Sequence, residues 1–448
     1  MFVVLTYALP ARLVVNGPLG AAGRPSLLTG LAMLVVWAVC FVERDTGERS
    51  FQPVRALVGA YLVVWCTSAG LGHLRGLTAL ERAGMERYLL LTLSLCGVAL
   101  LTADHLRDRA QIDALLRRLT WLGAWMGFVG LLQFQLDVDL VDHIRPPGLH
   151  LNTEIGELVE RGASRFTRAT GPAQHSIELS VLSAMLVPIA VHYALEAEER
   201  ATRVRRWLIV VLCGVGVPFS LARSGTVAAT AAFLVLLRSW TRRSQRIALV
   251  AAAVIVVVLR AAVPGLVGTF VSFFRNAGSD RSVEGRTRDY ELVAELFAER
   301  PWWGLGAGSF RPEAYFILDN YLLNALVSAG LAGAVLVVAL FAVPYSLAVR
   351  TARDAPAATD RHLATCLAAA LAGGFVSSFT FDSLNFPSMA GTVFLVVGVV
   401  GALHRVRDRP GPFRQATGTP PTADRFDGIV KSRAAMRPVL RRLVGDRP

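Results

Sequence analysis

Residues 242–263 read RRSQRIALVAAAVIVVVLRAAV. From Ile247 to Leu259 every side chain is aliphatic, so a helix here is apolar all round and has no polar face to turn toward water. With Arg242, Arg243 and Arg246 gathered at one end, the segment reads as a transmembrane helix with a basic flank. The same alternation of apolar run and charged gap extends through the chain. Over 448 residues, 54% are hydrophobic and 18% charged, with a mean hydropathy of +0.49, which excludes an ordinary soluble globule.

Hydropathy predicts an all-α polytopic membrane protein with about twelve transmembrane helices, at roughly 2–20, 27–42, 54–71, 88–103, 119–134, 175–195, 207–221, 225–237, 247–263, 319–347, 362–380 and 388–404. The first run is interrupted by Pro10 and Arg12, and no basic segment precedes it, so it does not read as a signal peptide. The seventh and eighth are short and form a tight hairpin around Ala222, Arg223 and Ser224.

Arginine clusters set the orientation. Arg107, Arg109, Arg117 and Arg118 share one gap, Arg200, Arg203, Arg205 and Arg206 a second, and Arg238, Arg242, Arg243 and Arg246 a third. All fall on one side of a twelve-span chain, as do Arg44, Arg49, Arg350, Arg353, Arg361 and the tail, so that side is expected to be cytoplasmic. Both termini are then expected on the cytoplasmic side. Two long loops, about 135–174 and 264–318, face the extracytoplasmic side and carry most of the sequence complexity. The membrane domain is expected over 1–404. Residues 405–448 form a basic tail whose Pro410, Pro412, Pro420 and Pro421 mark a disordered spacer, followed by a possible amphipathic segment. The formal charge of +13 is explained by topology and anionic lipid headgroups rather than by nucleic acid.

The five cysteines all fall in apolar runs, and no C-x-x-C, HExxH or phosphate-binding loop appears, so no metal or cofactor is expected. Three places carry candidate chemistry. In Ser220-Leu-Ala-Arg223-Ser-Gly225, an arginine in a short outer turn can fork onto phosphate oxygens, or simply snorkel to the interface. In the second long loop, Gly285-Arg286-Thr-Arg288 opens an amphipathic segment, and a helix N-terminus there would add its dipole to the two charges; a solvated face is the competing reading. The following Pro301-Trp-Trp-Gly304-Leu-Gly306-Ala-Gly308 mimics a dinucleotide fingerprint without any strand before it, and reads as an interfacial anchor with a close-packed turn. Finally, Asp319-Asn320-Tyr321 precedes a span containing Gly330 and Gly333, a pair expected to permit close helix contact. A carboxylate at that helix mouth could accept a proton from a hydroxyl or could cap the helix.

The ordered set of Arg168 with Gly171, Ala222-Arg223-Ser-Gly225, Gly285-Arg286, Pro301-x-x-Gly304-x-Gly306, Asn320-x-Leu322 and Gly330-Leu-x-Gly333 resembles the O-antigen ligase and polymerase family over about 165–345. The resemblance implies a metal-independent membrane glycosyltransferase. Its donor would be an undecaprenyl-diphosphate-linked glycan, its acceptor a glycan or lipid hydroxyl. Carried over by position, Arg223 and Arg286 hold the diphosphate, with Arg168, Arg288 and Asn320 in support. The family's ligases carry a histidine directly before the asparagine corresponding to Asn320, whereas this chain has Asp319. The carboxylate leaves ligase and polymerase both open, with Asp319 as the candidate base and His150 and His175 as alternatives. A flippase for lipid-linked oligosaccharide should line its cavity with charges near mid-membrane, and most runs here lack them. That reading and a non-catalytic partner in polysaccharide export are the competing classes.

Overall fold

A computed structural model describes residues 1–17, 20–43, 51–138, 140–144, 146–152, 166–275 and 281–408; of residues 21, 142, 272–275, 281–288 and 408 only the backbone is described. The tail beyond 408 therefore lies outside the described residues, as do the side chains of Arg286 and Arg288.

The described residues are mostly helical. In order come α1 (Phe2–Tyr7), β1 (Leu13–Val15), α2 (Pro25–Val42), α3 (Pro53–Leu74), α4 (Ala79–His105), α5 (Arg109–Leu136), β2 (Leu149–Leu151), α6 (Ser176–Leu195), α7 (Arg200–Phe219), α8 (Arg223–Ser239) and α9 (Arg242–Ala262). Then follow α10 (Leu266–Arg275), α11 (Arg281–Glu299), α12 (Tyr321–Asp354), α13 (Ala358–Ser377) and α14 (Pro387–Asp408). Among the described residues, eight helices are long and apolar enough to cross a membrane: α2 to α6, α9, α12 and α14. The runs at α7, α8 and α13 are helices too, but α7 opens with Arg200, Arg203, Arg205 and Arg206 and α8 has only 17 residues.

The first predicted span is not a membrane-crossing helix. Helix α1 has 6 residues, about 9 Å at 1.5 Å per residue, and Pro10 ends any continuation. The chain then forms β1, which pairs antiparallel with β2, Leu13 opposite Leu151 and Val15 opposite Leu149. That ladder ties the N-terminal segment to the loop between α5 and α6. The end of α14 lies at the opposite end of the bundle, where Arg405 Nη2 donates to the Leu106 carbonyl (2.6 Å) just after α4. The two ends of the described chain thus lie at opposite ends of the bundle, not together as the twelve-span count requires.

Helix packing follows the rules of an apolar solvent, in which close approach rather than hydrophobic exclusion holds helices together. Gly127 on α5 lies so near the Leu212 carbonyl of α7 that any β-carbon would collide with it. Helices α6 and α14 form the centre, each with 83% of its apolar window buried, whereas α9 has 0% buried and faces outward on all sides.

The feature that shapes the candidate site is a break in α12. Gly330 has φ 64 and ψ −161, a conformation that ends the helical ladder in mid-course. The segment Pro301–Gly306 fills the break. Leu305 N–H donates to the Val327 carbonyl (2.9 Å) and Gly306 N–H to that of Ser328 (3.0 Å), while Leu331 N–H donates to the Pro301 carbonyl (2.8 Å). Backbone groups released by the kink are thereby satisfied by a non-helical segment, as burial in an apolar medium demands. Gly304, φ 66, accepts the positive dihedral, and a β-carbon on it would meet the Val327 carbonyl. Gly330 therefore serves loop insertion and not the close helix contact expected of it. The two glycine motifs noted separately in the sequence are partners in space.

Candidate functional site

The end of the bundle opposite the arginine-rich loops gathers the starts of α6, α8, α12 and α14 and the end of α13. Each start is fixed by a specific donor and acceptor. Asn320 is the N-cap of α12, its side-chain oxygen accepting from Leu323 N–H (3.2 Å). Asp319 is thus not the cap. It stands one residue outside the helix and is exposed.

Beside it lies a carboxylate that the sequence reading missed. Asp382 sits in the short connection between α13 and α14, with Asn385 Nδ2 donating to its Oδ2 (2.5 Å) and Asn324 Nδ2 to the same oxygen (3.3 Å). Its other oxygen is buried with no hydrogen-bond partner among the described residues. Burial pushes its pKa from the ordinary aspartate value up to about 7; the nearby charge of Asp319 raises it further, against the lowering effect of the two amides. The connection is bonded to α12 directly, through Tyr321 N–H to the Ser378 carbonyl (2.9 Å), and Asn324 is itself held by Ser328 Oγ (2.9 Å) on the turn before the break. The loop in the break and the Asp382 connection therefore both brace the outer half of α12. No sequence signal marked Asp382, because its basicity comes from enclosure by residues far away in the chain.

The arginines divide. Arg223 is the first residue of α8, after a turn in which Leu221 takes φ 51, and it is half-buried. Next to it Gly225 packs on Ser180 of α6 with no room for a β-carbon, which seats the start of α8 against the start of α6. Arg168 is half-buried in the strand-like approach to α6, and its Nε is buried with no hydrogen-bond partner among the described residues. His175, the N-cap of α6, accepts from Ile177 N–H through Nδ1 (3.1 Å). Burial, then the charge of Arg168, brings its pKa down to about 4. A ring held neutral and already used as an acceptor is poorly placed to be the base. His150, on β2, bonds Asn16 Oδ1 (2.7 Å) just after β1.

Glu178 completes the frame. Fully buried, it accepts from Ser388 and Met389 N–H (2.9 and 3.0 Å) at the start of α14 and from Gln174 N–H (2.7 Å). It is a capping carboxyl for one helix carried on another. Arg24 Nη2 donates to Gln174 Oε1 (3.0 Å), linking the start of α2 to the same corner.

Arg286 and Arg288 lie on α11, which begins at Arg281. They are thus beyond the first four residues whose N–H groups are unpaired, and the expected helix-dipole contribution does not apply at either position. The far half of α11 packs through Val293 on Leu305, Phe310, Leu318 and Val327, so α11 is seated on the filled break close to Asp319.

Residues 208–338, from α7 through the break in α12, match the sequence profile of a family described as O-antigen ligase. The match lies within the stretch in which the sequence resembles that family. No curated protein sequence matches the chain. The match supports a role of the O-antigen ligase or polymerase type in surface-polysaccharide synthesis, and the eight long apolar helices fit a multi-pass membrane protein. The matched segment holds Arg223, the filled break and the Asp319–Asn320 pair, whereas Arg168, His175 and Asp382 flank it from outside.

Proposed function

We propose that the chain transfers an undecaprenyl-diphosphate-linked saccharide to a glycan or lipid hydroxyl at the extracytoplasmic face of the bacterial cytoplasmic membrane, as a ligase or polymerase that needs no metal for the transfer. The supporting observation is the Asp319–Asp382 pair at the arginine-poor end. Burial, with the neighbouring Asp319 charge, disfavours ionisation of Asp382, and a group with a pKa near 7 is suited to take a proton from a hydroxyl at neutral pH. Asp319, exposed, meets the acceptor; Asp382, held by Asn324 and Asn385, carries the raised basicity. Arg223 and Arg286 hold the diphosphate by charge-assisted hydrogen bonds, with Arg168 and Arg288 in support. The hydroxyl oxygen attacks the anomeric carbon, the carboxylate pair takes its proton, and the diphosphate leaves with the bonding electrons.

This orientation puts the end of α14 in the cytoplasm and β1 outside. The test is transfer by purified protein supplied with a defined lipid-linked glycan and acceptor. Donor consumption with a new glycosidic product supports the reading; donor translocation across proteoliposomes without product would assign the chain to transport instead.

A further inference from the structure

At the arginine-rich end, away from the proposed chemistry, α6 and α13 bring three metal-ligating side chains together. His362 and Cys366 are four residues apart and so share one face of α13; His192 projects from the last turn of α6. His192 and Cys366 are fully buried and His362 partly so. One ligand atom from each lies within 4.8 Å of the other two, with His192 Nδ1 2.9 Å from His362 Nδ1 and Cys366 Sγ 3.9 Å from that same nitrogen. We propose that His192, His362 and Cys366 form a zinc(II) site that clasps α6 to α13.

The distances suit that ion. Zinc bonds of about 2.0–2.1 Å to nitrogen and about 2.3 Å to sulfur, at tetrahedral angles, separate two nitrogens by about 3.4 Å and a nitrogen from a sulfur by about 3.5 Å. The two separations that involve His362 differ from their targets by about half an ångström, within reach of small side-chain rotations, and that between His192 and Cys366 is at most 4.8 Å. Two imidazoles and a thiolate select a borderline or soft d-block cation over magnesium or calcium, which prefer oxygen. The far nitrogen of His192, Nε2, lies 3.3 Å from Glu196 Oε2 but makes no hydrogen bond among the described residues; a small turn of the Glu196 carboxylate would complete the contact that orients an imidazole at zinc.

Proton accounting defines what binding changes. Without metal, the Trp240 indole N–H points at His362 Nε2 (3.4 Å), so His362 carries its proton on Nδ1 and donates it to His192 Nδ1. That proton occupies the place of the ion. Loading moves the His362 proton to Nε2, ends its role as acceptor from Trp240, and releases the thiol proton of Cys366 to solvent. The surrounding charges are Arg109, Arg117 and Arg206 against Asp113, Asp360 and Glu196. Arg109 is bound to Asp360 (2.7 Å) and to Asp113, and the thiolate together with Glu196 balances the two positive charges of zinc. The opposite ends of these helices carry His175 and the Asp382 connection, so a clasp here fixes the relative height of two supports of the proposed transfer site without touching substrate.

The experiment uses full-length protein purified without a histidine tag, stripped with chelator and titrated with cobalt(II), followed by elemental analysis after zinc addition. One cobalt per chain is expected, with a thiolate-to-cobalt charge-transfer band that zinc displaces and that Cys366→Ser abolishes. His192→Gln and His362→Gln should each weaken binding by at least ~10-fold and Glu196→Gln by up to ~10-fold; gel filtration confirms that each variant remains folded. Zinc should also raise the Tm of the wild-type chain and leave that of Cys366→Ser unchanged. Absence of the band, its survival in Cys366→Ser, or stoichiometric metal that persists in all three ligand variants would overturn the site, and none of these readouts depends on transfer activity.

Discussion

The two ends of the helix bundle use charge in opposite ways. At the arginine-rich end, cations are spent on the protein itself. Arg203 Nε and Nη2 donate to the Ala197 carbonyl (2.9 and 2.8 Å), Arg206 Nη1 to that of Tyr193 (2.6 Å), Arg361 Nη1 to those of Ala355 and Pro356, and Arg405 to that of Leu106. Each closes a helix end whose carbonyls have no partner within the helix. At the opposite end, Asp382 Oδ1, Arg168 Nε and Arg24 Nε are buried with no hydrogen-bond partner among the described residues. Buried polar groups left short of partners are costly, and retaining them where a charged ligand can complete the set is a mark of function. Positive charge alone therefore does not locate the site. Among the described residues, unpartnered buried atoms occur at both ends, Gln52 Nε2 and His192 Nε2 among them at the arginine-rich one; the opposite end differs in that a carboxylate and two arginines contribute them together.

The sharpest way to break that contrast is to neutralise the carboxylate pair. Asp382→Asn and Asp319→Asn should each lower the transfer rate by about 100-fold or more, the scale of general-base catalysis, with donor binding near wild type. Near-normal turnover by both would return the end to a structural role. The pH profile sharpens the same point. Activity should rise with pH through about 7, as Asp382 loses its proton, and Asp319→Asn should move the residual limb to lower pH because a like charge is removed. Stability has the opposite slope: the folded chain holds that proton more tightly than the unfolded one, so the contribution falls as pH rises from the ordinary aspartate range toward 7. A limb that stays near 7 in Asp319→Asn would uncouple the two groups.

Arg223→Ala comes next. Losing charge-assisted bonds worth about 1.5–3 kcal/mol should cost roughly 10- to 100-fold in kcat/KM for the lipid-linked donor, and Arg223→Lys should recover only part of it. An unchanged donor dependence in Arg223→Ala would leave it an interfacial arginine. Gly330→Ala should destabilise by about 1–3 kcal/mol, read as a lower Tm, since the φ of 64 is strained for alanine and the added carbon meets the Trp302 carbonyl. The smallest effect is expected at the other end. Arg361→Ala should change stability by under about 1 kcal/mol and leave transfer unaltered. A loss comparable with that of Arg223→Ala would erase the distinction between the two ends.

Hydropathy read eleven of the runs as helices because each was a statement about solvent, and lipid is indifferent to what else a helix touches. It misread residues 2–20 because Leu13–Val15 owes its form to a strand at Leu149–Leu151, far along the chain. Asp319 and Asn320 were located, but the cap weighed as the competing reading of Asp319 falls to Asn320, since either residue type accepts from a helix start and only the backbone decides. Asp382 was invisible for the reason that makes it interesting: its proton affinity belongs to its enclosure, not to its neighbours in sequence. The His362–Cys366 spacing likewise acquires meaning only when His192 arrives from another helix.

The filled break in α12 also bears on how the chain is made. The loop at Pro301–Gly306 leaves the ribosome before Gly330, so it must wait for the carbonyls of Val327 and Ser328 to become its acceptors. Until α12 is complete, the loop has nothing to dock on; until the loop docks, α12 has no reason to break. The first turns of that helix, and with them Asp319, take their final direction only at this late meeting. Insertion into the bilayer and completion of the proposed site are therefore separate events in the life of the protein.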